Sequence, residues 1–259
     1  MDYFVWNADP ILVDFGMLQI RWYGLLFAAA FLTGYQIIKS IYLKENKNVE
    51  NIDSLFVHIF LGTLIGARLG HCLFYDPVYY LSDPVKILYV WQGGLASHGG
   101  GIGIFISLYI YSKRFKESYI WILDRLAIPT ALAGAFIRTG NFFNSEITGT
   151  PSSMPWAVVF KRIDFVPRHP VQLYEALSYA LIFIFLIFLY KKFYKSLNSG
   201  MLFGVFLSCV FSARFFLEFL KVKQASYNLT GFLSAGQILS IPFIAAGIFF
   251  IIRSFMSEQ

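Results

Sequence analysis

Long apolar runs separated by short polar connections dominate the chain. A helix crossing roughly 30 Å of hydrocarbon needs about 20 predominantly apolar residues. About seven stretches approach that length: Leu18 to Ile41, Ile52 to Tyr75, Leu95 to Tyr111, Tyr119 to Ile137, Gln172 to Tyr190, Met201 to Leu220 and Leu233 to Ile252. The third is short and glycine-rich at its start. Two connections are long enough to carry structure of their own. Asp76 to Gly94, with Asp83-Pro84 and Trp91, reads as an arm in the membrane interface, where amphipathic aromatic rings settle. Phe142 to Pro170, with Pro151, Pro155, Pro167 and Pro170, reads as a small ordered extracytoplasmic head. The pattern predicts an all-α integral membrane protein, a single polytopic domain over residues 1–259. Glycines recur without a fixed period, so no repeat array is expected. Paired broken helices in two matching halves, the mark of many transporters, are not evident either.

Composition sharpens this. Hydrophobic residues make up 57% and charged residues 14% of the 259 positions, against about a quarter charged in soluble domains. The formal net charge of +6 could point to nucleic acid, but the basic residues sit beside apolar runs, as orientation signals do. Anionic lipid headgroups are the expected partner, and nucleic acid is not. Lys39, Lys44, Lys47, Lys113, Arg114, Lys116, Lys191, Lys192, Lys195 and Arg253 fall on one side. Arg21, Lys86, Lys161, Arg162, Arg168, Lys221 and Lys223 are spread through longer connections on the other. That bias places the N-terminus outside and the C-terminus in the cytoplasm. The start, MDYFVWNADPILVDFG, lacks the basic region, apolar core and small-residue cleavage site of a removable signal peptide, so insertion is expected to rely on the spans. Cys72 and Cys209, far apart and inside predicted helices, read as free thiols.

The candidate chemistry centres on Ala135 to Pro151, where an apolar run ends in Arg138, Asn141, Asn144 and Glu146. An ionisable group at the centre of a span costs about 2.5 kcal/mol or more, which makes function the default hypothesis. The competing reading is an Arg138–Glu146 ion pair that closes a helix. Counting along each span places Arg68, Arg138, Arg214, Tyr23 and His98 in the outer half of the bilayer. Arg138 and Arg214 offer planar forks suited to phosphate. Glu218, four positions after Arg214 on one helix face, is expected to hold that guanidinium in place. His98, in Ser97-His98-Gly99-Gly100-Gly101, is either a proton acceptor near neutral pH or a hydrogen-bonded interfacial histidine. His58 and His71 lack this glycine-rich setting, and His169, between Arg168 and Pro170, reads as headgroup or loop structure. Gln172, Tyr174 and Glu175 at the start of the fifth run read as positional, with the carboxylate suiting a helix N-terminus. Arg125 beside Asp124 reads as a local structural pair. No metal-ligand spacing, phosphate-binding glycine loop or nucleophile elbow appears, so neither a metal nor another cofactor is expected.

Several ordered motifs together resemble the bacterial phosphatidylglycerol–prolipoprotein diacylglyceryl transferases over nearly the whole chain. They are Trp22-Tyr23-Gly24, Gly66-Ala67-Arg68-Leu69-Gly70, Gly93 to Gly100 (GGLASHGG), Arg138 to Glu146 (RTGNFFNSE) with Gly149, Arg168 to Glu175 (RHPVQLYE) and Arg214 to Phe219 (RFFLEF). The resemblance implies a seven-helix fold, N-out and C-in, in the bacterial plasma (inner) membrane, with the active site towards the outer leaflet. It implies transfer of diacylglyceryl from phosphatidylglycerol to the lipobox cysteine of a prolipoprotein signal peptide, with release of glycerol phosphate. It places His98, Tyr23, Arg138, Asn141, Glu146, Gly149, Arg214 and Glu218 at positions used for catalysis or lipid binding. Arg68 joins the expected lipid-binding set. Val210 and Phe211 stand where some members have tyrosine and glycine, Lys221 where arginine is common, and Thr150 where some have a basic residue. A lipid or anion transporter with an arginine-lined path, and a structural subunit whose charges only join helices, are the alternatives.

Overall fold

The computed structural model describes residues 3–16, 19–90, 93–222 and 233–256. Leu18, where the first run was expected to begin, lies outside the described residues, as do Trp91 of the arm and the basic Lys223. Helices dominate because unpaired backbone amides are too costly in hydrocarbon, and a helix pairs its own. In chain order the elements are β1 (Phe4–Trp6), β2 (Ile11–Asp14), β3 (Gln19–Arg21), α1 (Trp22–Lys44), α2 (Asn51–Phe74), α3 (Pro77–Ser82), α4 (Ser97–Phe115), α5 (Tyr119–Phe143), β4 (Val158–Phe160), β5 (Pro167–Arg168), α6 (Val171–Phe193), α7 (Met201–Leu217) and α8 (Ala235–Met256). Six of these helices are long and apolar enough to cross a membrane: α1, α2, α5, α6, α7 (carried on to Leu220) and α8. The third expected span is present as α4, but its Ser-His-Gly-Gly-Gly start and Lys113-Arg114 end dilute its apolar content, and it is not among the six.

The chain divides into two compact units, one made of the residues up to Ile37 and from Leu123 onward, the other of Ile38–Ile122. In the first, short strands form the head that the sequence reading did not resolve into elements. β4 pairs in parallel with β1 and antiparallel with β5. The Trp6 indole donates to the Phe142 carbonyl at 3.1 Å, and Trp6, Phe142, Val158 and Phe160 form a small apolar core. The Arg168 guanidinium clasps Asp164 and holds its carboxyl below the usual carboxylate range. Asp124, expected to pair with Arg125, does more: its carboxylate accepts from the backbone amides of Gly200 (2.7 Å) and Phe203 (2.8 Å), capping α7, while Arg125 stands 3.7 Å away. A helix N-terminus leaves such amides without partners, so a buried carboxylate there is satisfied.

In the second unit α2 and α4 meet through Gly62, Gly66 and Gly70 facing Gly99 and Gly103. These positions recur every four residues, a spacing that lines one helix face with small residues and lets backbones touch. The sequence reading, looking for longer repeats, passed over it. A Cβ on Gly103 would lie 2.0 Å from the Gly62 carbonyl oxygen, whereas one on Gly101 meets nothing within 4 Å. Gly103→Val is therefore expected to lower the melting midpoint in detergent, at a cost of about 3 kcal/mol. Gly101→Ala should leave that midpoint in place; equal behaviour of the two variants would contradict the seam. The arm beyond α2 forms α3 and a 3-10 turn, Pro84–Leu88, with Val78, Leu81 and Leu88 exposed.

Candidate functional site

The end of α5 brings polar side chains together in the first unit. Arg138 Nη1 donates to Asn141 Oδ1 at 3.2 Å, and Asn141 Nδ2 donates to Glu146 Oε2 at 2.9 Å. Asn144 Nδ2 reaches the other Glu146 oxygen at 3.1 Å. Ser145 (φ 56°) and Ile147 (φ 54°) flank Glu146 in the left-handed region, which a β-branched residue rarely adopts. Backbone held in this way, with Gln172 Nε2 donating to the Glu146 carbonyl, fixes where the carboxylate points. Tyr23, at the start of α1, packs its ring on Gly140 and lies within electrostatic reach of Glu146 and Arg138.

The competing reading, an Arg138–Glu146 ion pair, does not hold; Arg138 pairs with Glu175. Its Nε lies 3.0 Å from Glu175 Oε2, close as an ion pair but without the alignment of a directed hydrogen bond. Glu175 is completely buried, so the reading of it as a merely positional acid near a helix start is corrected. Its second oxygen accepts from Lys221 Nζ at 2.9 Å, and Lys221 also lies 3.1 Å from Glu218. The result is an alternating chain, Arg138–Glu175–Lys221–Glu218, in which each buried charge has an opposite neighbour.

Glu218 was expected to hold Arg214, and here too the structure differs. Glu218 caps α7 and still donates its backbone amide to the Arg214 carbonyl, so the two residues stay one helical turn apart, but the Glu218 carboxylate turns to Lys221, 3.1 Å away. Glu218 instead accepts from the Ser234 hydroxyl at 3.2 Å and rests on Gly236, where a Cβ would come within 2.5 Å of it. That position faces the N-terminal turn of α8, which favours an anion. Arg214 has no ion pair among the described residues. Tyr179 lies within electrostatic reach of both Arg138 and Arg214.

Gly149 has a backbone role. It forms an antiparallel bridge with Lys221 and donates its amide to the His169 carbonyl at 3.0 Å. A Cβ there would lie 2.5 Å from that carbonyl oxygen, so only glycine fits between the two strands of backbone. The bridge is what carries Lys221 to Glu175. His169 is loop structure, as expected, with its Nδ1 3.3 Å from the Tyr174 hydroxyl.

The remaining expected site residues lie in the second unit. Arg68 is 3% exposed, and its guanidinium donates to the carbonyls of Ile87 (2.8 Å), Gly93 (2.6 Å), Gly94 (3.3 Å) and Lys86 (2.7 Å). Those bonds staple the arm to α2. His98 is exposed in the first turn of α4, with Nε2 3.3 Å from the Tyr75 hydroxyl and its ring stacked on Tyr75. Cys72 is buried and Cys209 half-buried, both free.

Sequence reasoning missed Glu175 and Lys221. Glu175 could have been found by the rule already applied to Arg138, since it too is an ionisable group inside an apolar run. Lys221 offered no such signal, because the backbone bridge that positions it joins segments about 70 residues apart.

Comparison with known proteins agrees with the motifs. The family model described as Prolipoprotein diacylglyceryl transferase matches residues 10–253. A phosphatidylglycerol–prolipoprotein diacylglyceryl transferase of Tolumonas auensis is 52% identical over 250 residues, covering 96% of each chain. One of Chloroherpeton thalassium is 47% identical, covering 99% of this chain and 96% of its own. One of Bacteroides fragilis is 43% identical, covering 95% and 93%. With a match running almost from end to end, the chain belongs to the prolipoprotein diacylglyceryl transferase family.

Proposed function

We propose that this protein transfers the diacylglyceryl group of phosphatidylglycerol to the thiol of a prolipoprotein cysteine, the first step of lipoprotein maturation. The observation that carries this is the full-length similarity to relatives named for that reaction. In the finer reading, the acceptor is the lipobox cysteine of a signal peptide. The protein spans the bacterial plasma membrane seven times, α4 included, N-terminus out and C-terminus in. The reaction takes place towards the outer leaflet, in a single polytopic domain.

The chemistry fits the side chains. A thiol with a pKa near 8.5 must lose its proton before it attacks, and a low-dielectric setting makes that harder. His98 is the proposed acceptor of that proton, on the chemistry of its exposed side chain: an imidazole can take a proton on one ring nitrogen and pass it on. The sulfur then attacks the glyceryl carbon attached to the phosphate oxygen. A carbon–sulfur bond forms, the carbon–oxygen bond breaks, and glycerol phosphate leaves with the electron pair. Arg138 and Arg214 stabilise the charge that develops on the departing phosphate. Tyr23, Asn141 and Glu146 orient the headgroup. Gly149 and Glu218 hold the frame through Lys221, and Arg68 supports the arm.

The test is purified protein in detergent with phosphatidylglycerol and a lipobox peptide, read by mass spectrometry. The peptide should gain diacylglyceryl mass. A peptide unchanged under conditions where a relative works would overturn the reading. Neither thiol of the chain enters the scheme, so Cys72→Ala and Cys209→Ala should keep full transfer. Loss of transfer in either, with folding intact, would reveal a covalent step on the enzyme.

A further inference from the structure

Where α2 and α4 touch through glycines, the missing side chains leave an open crease floored by Gly62, Gly66, Gly70, Gly99 and Gly103. Two ridges border it, Leu61, Ile65 and Leu69 on α2 and Ile102, Ile106 and Ile110 on α4, all between 41% and 58% exposed. Between them runs a groove of about 670 Å³ from Val57 to Phe74. At 1.5 Å per residue this is about 25 Å long, most of the roughly 30 Å of hydrocarbon.

The charge along the groove is one-sided. Among the described residues, the ionisable ones that line it are His58 and Arg114, which share one end, and none is a carboxylate. The antiparallel pairing of the helices explains why they meet, since the start of α2 lies beside the end of α4: the His58 ring packs edge-on against Tyr111 and Phe115. His58 Nδ1 lies 2.6 Å from the Ser54 carbonyl oxygen, so that nitrogen carries the hydrogen and Nε2 is left for another partner. Arg114 is exposed and has no acidic partner among the described residues. Lys113 and Lys116 flank it.

Apolar walls, a cationic end and no acid are the complement of a phospholipid with a negative headgroup. A helix with side chains is about 10–12 Å across, too broad for a crease between two helices in backbone contact, whereas an acyl chain is narrow enough. We propose that this groove holds one acyl chain of an anionic phospholipid whose phosphate is gripped by Arg114, a bound lipid that takes no part in the reaction. The proposal requires only that the second unit sits in a membrane. It does not depend on the cluster around Arg138.

The test uses the whole protein in nanodiscs doped with a trace of phosphatidylserine or phosphatidylcholine, each carrying the same photoreactive acyl chain. Crosslinked peptides are then mapped. Labelling of residues 57–74 and 99–114 should be about fivefold stronger from the anionic lipid, as one basic contact at an anionic surface predicts. Arg114→Gln should bring that ratio close to one while transfer to a lipobox peptide is unchanged. Equal labelling by both lipids in the unaltered protein, or a ratio that survives Arg114→Gln, would overturn the proposal. So would the absence of label from both, with crosslinks to another protein in its place. Because transfer is measured separately, failure here is distinguishable from failure of the proposed function.

Discussion

Replacing Arg138 with alanine is expected to lower transfer by about 10²- to 10³-fold while the protein still inserts and folds. That range is the usual effect of removing one preorganised donor from a developing oxyanion. Folding should survive because Glu175, the buried partner of Arg138, keeps its contact with Lys221 at 2.9 Å. The carboxylate is left with one cation in place of two. Arg138→Lys should recover only part of the rate, since an ammonium cannot supply a planar fork to phosphate and to Asn141 at once. The measurement is the initial rate of mass gain on a lipobox peptide, with the melting midpoint as a control for folding. A variant that folds and transfers at the normal rate would remove Arg138 from the mechanism.

The opposite result is expected on the other side of the same pair. Glu175→Ala strands two cations, Arg138 and Lys221, in a region where the carboxylate side chain is fully buried. Removing one partner from a buried ion pair costs about 3–5 kcal/mol because the charge left behind is unsolvated. Glu175→Ala should therefore lower both the melting midpoint and the amount of folded protein, and with them the transfer rate. Glu175→Gln keeps the shape and an acceptor oxygen, so it should restore folding more than activity: Arg138 would be present but no longer held. The ratio of the two effects separates the roles. If Glu175→Ala melts with the unaltered protein, the alternating chain of charges contributes nothing to stability.

What the sequence revealed and what it concealed follow from the range of each interaction. Apolar runs report helices directly, because a residue facing lipid is judged by its own side chain. For that reason α2 and α8 begin and end within a few residues of the stretches read from the chain. The cluster around Arg138, Asn141 and Glu146 was legible for a similar reason: its members lie within nine residues and are out of place among hydrocarbon. Partner choice was not legible. Whether Arg138 takes Glu146 or Glu175 depends on how α5 and α6 pack, and whether Glu218 turns to Arg214 or to Lys221 and Ser234 depends on where the segments after α7 place those two partners. The parallel pairing of β1 with β4 joins segments about 150 residues apart, with no local trace in either. The glycine seam was written in the chain at a spacing of four, and was missed through a search for longer periods.

The central claim is that the segment from Arg138 to Gly149 holds the lipid headgroup. Its most direct test is phosphatidylglycerol with a photoreactive group on the terminal glycerol of its headgroup, crosslinked to the protein in nanodiscs and mapped by peptide sequencing. The label should fall on residues 138–149, compete with unlabelled phosphatidylglycerol, and be lost in Arg138→Ala. Label that avoids this segment, or that remains on it undiminished when Arg138 is gone, would contradict the account.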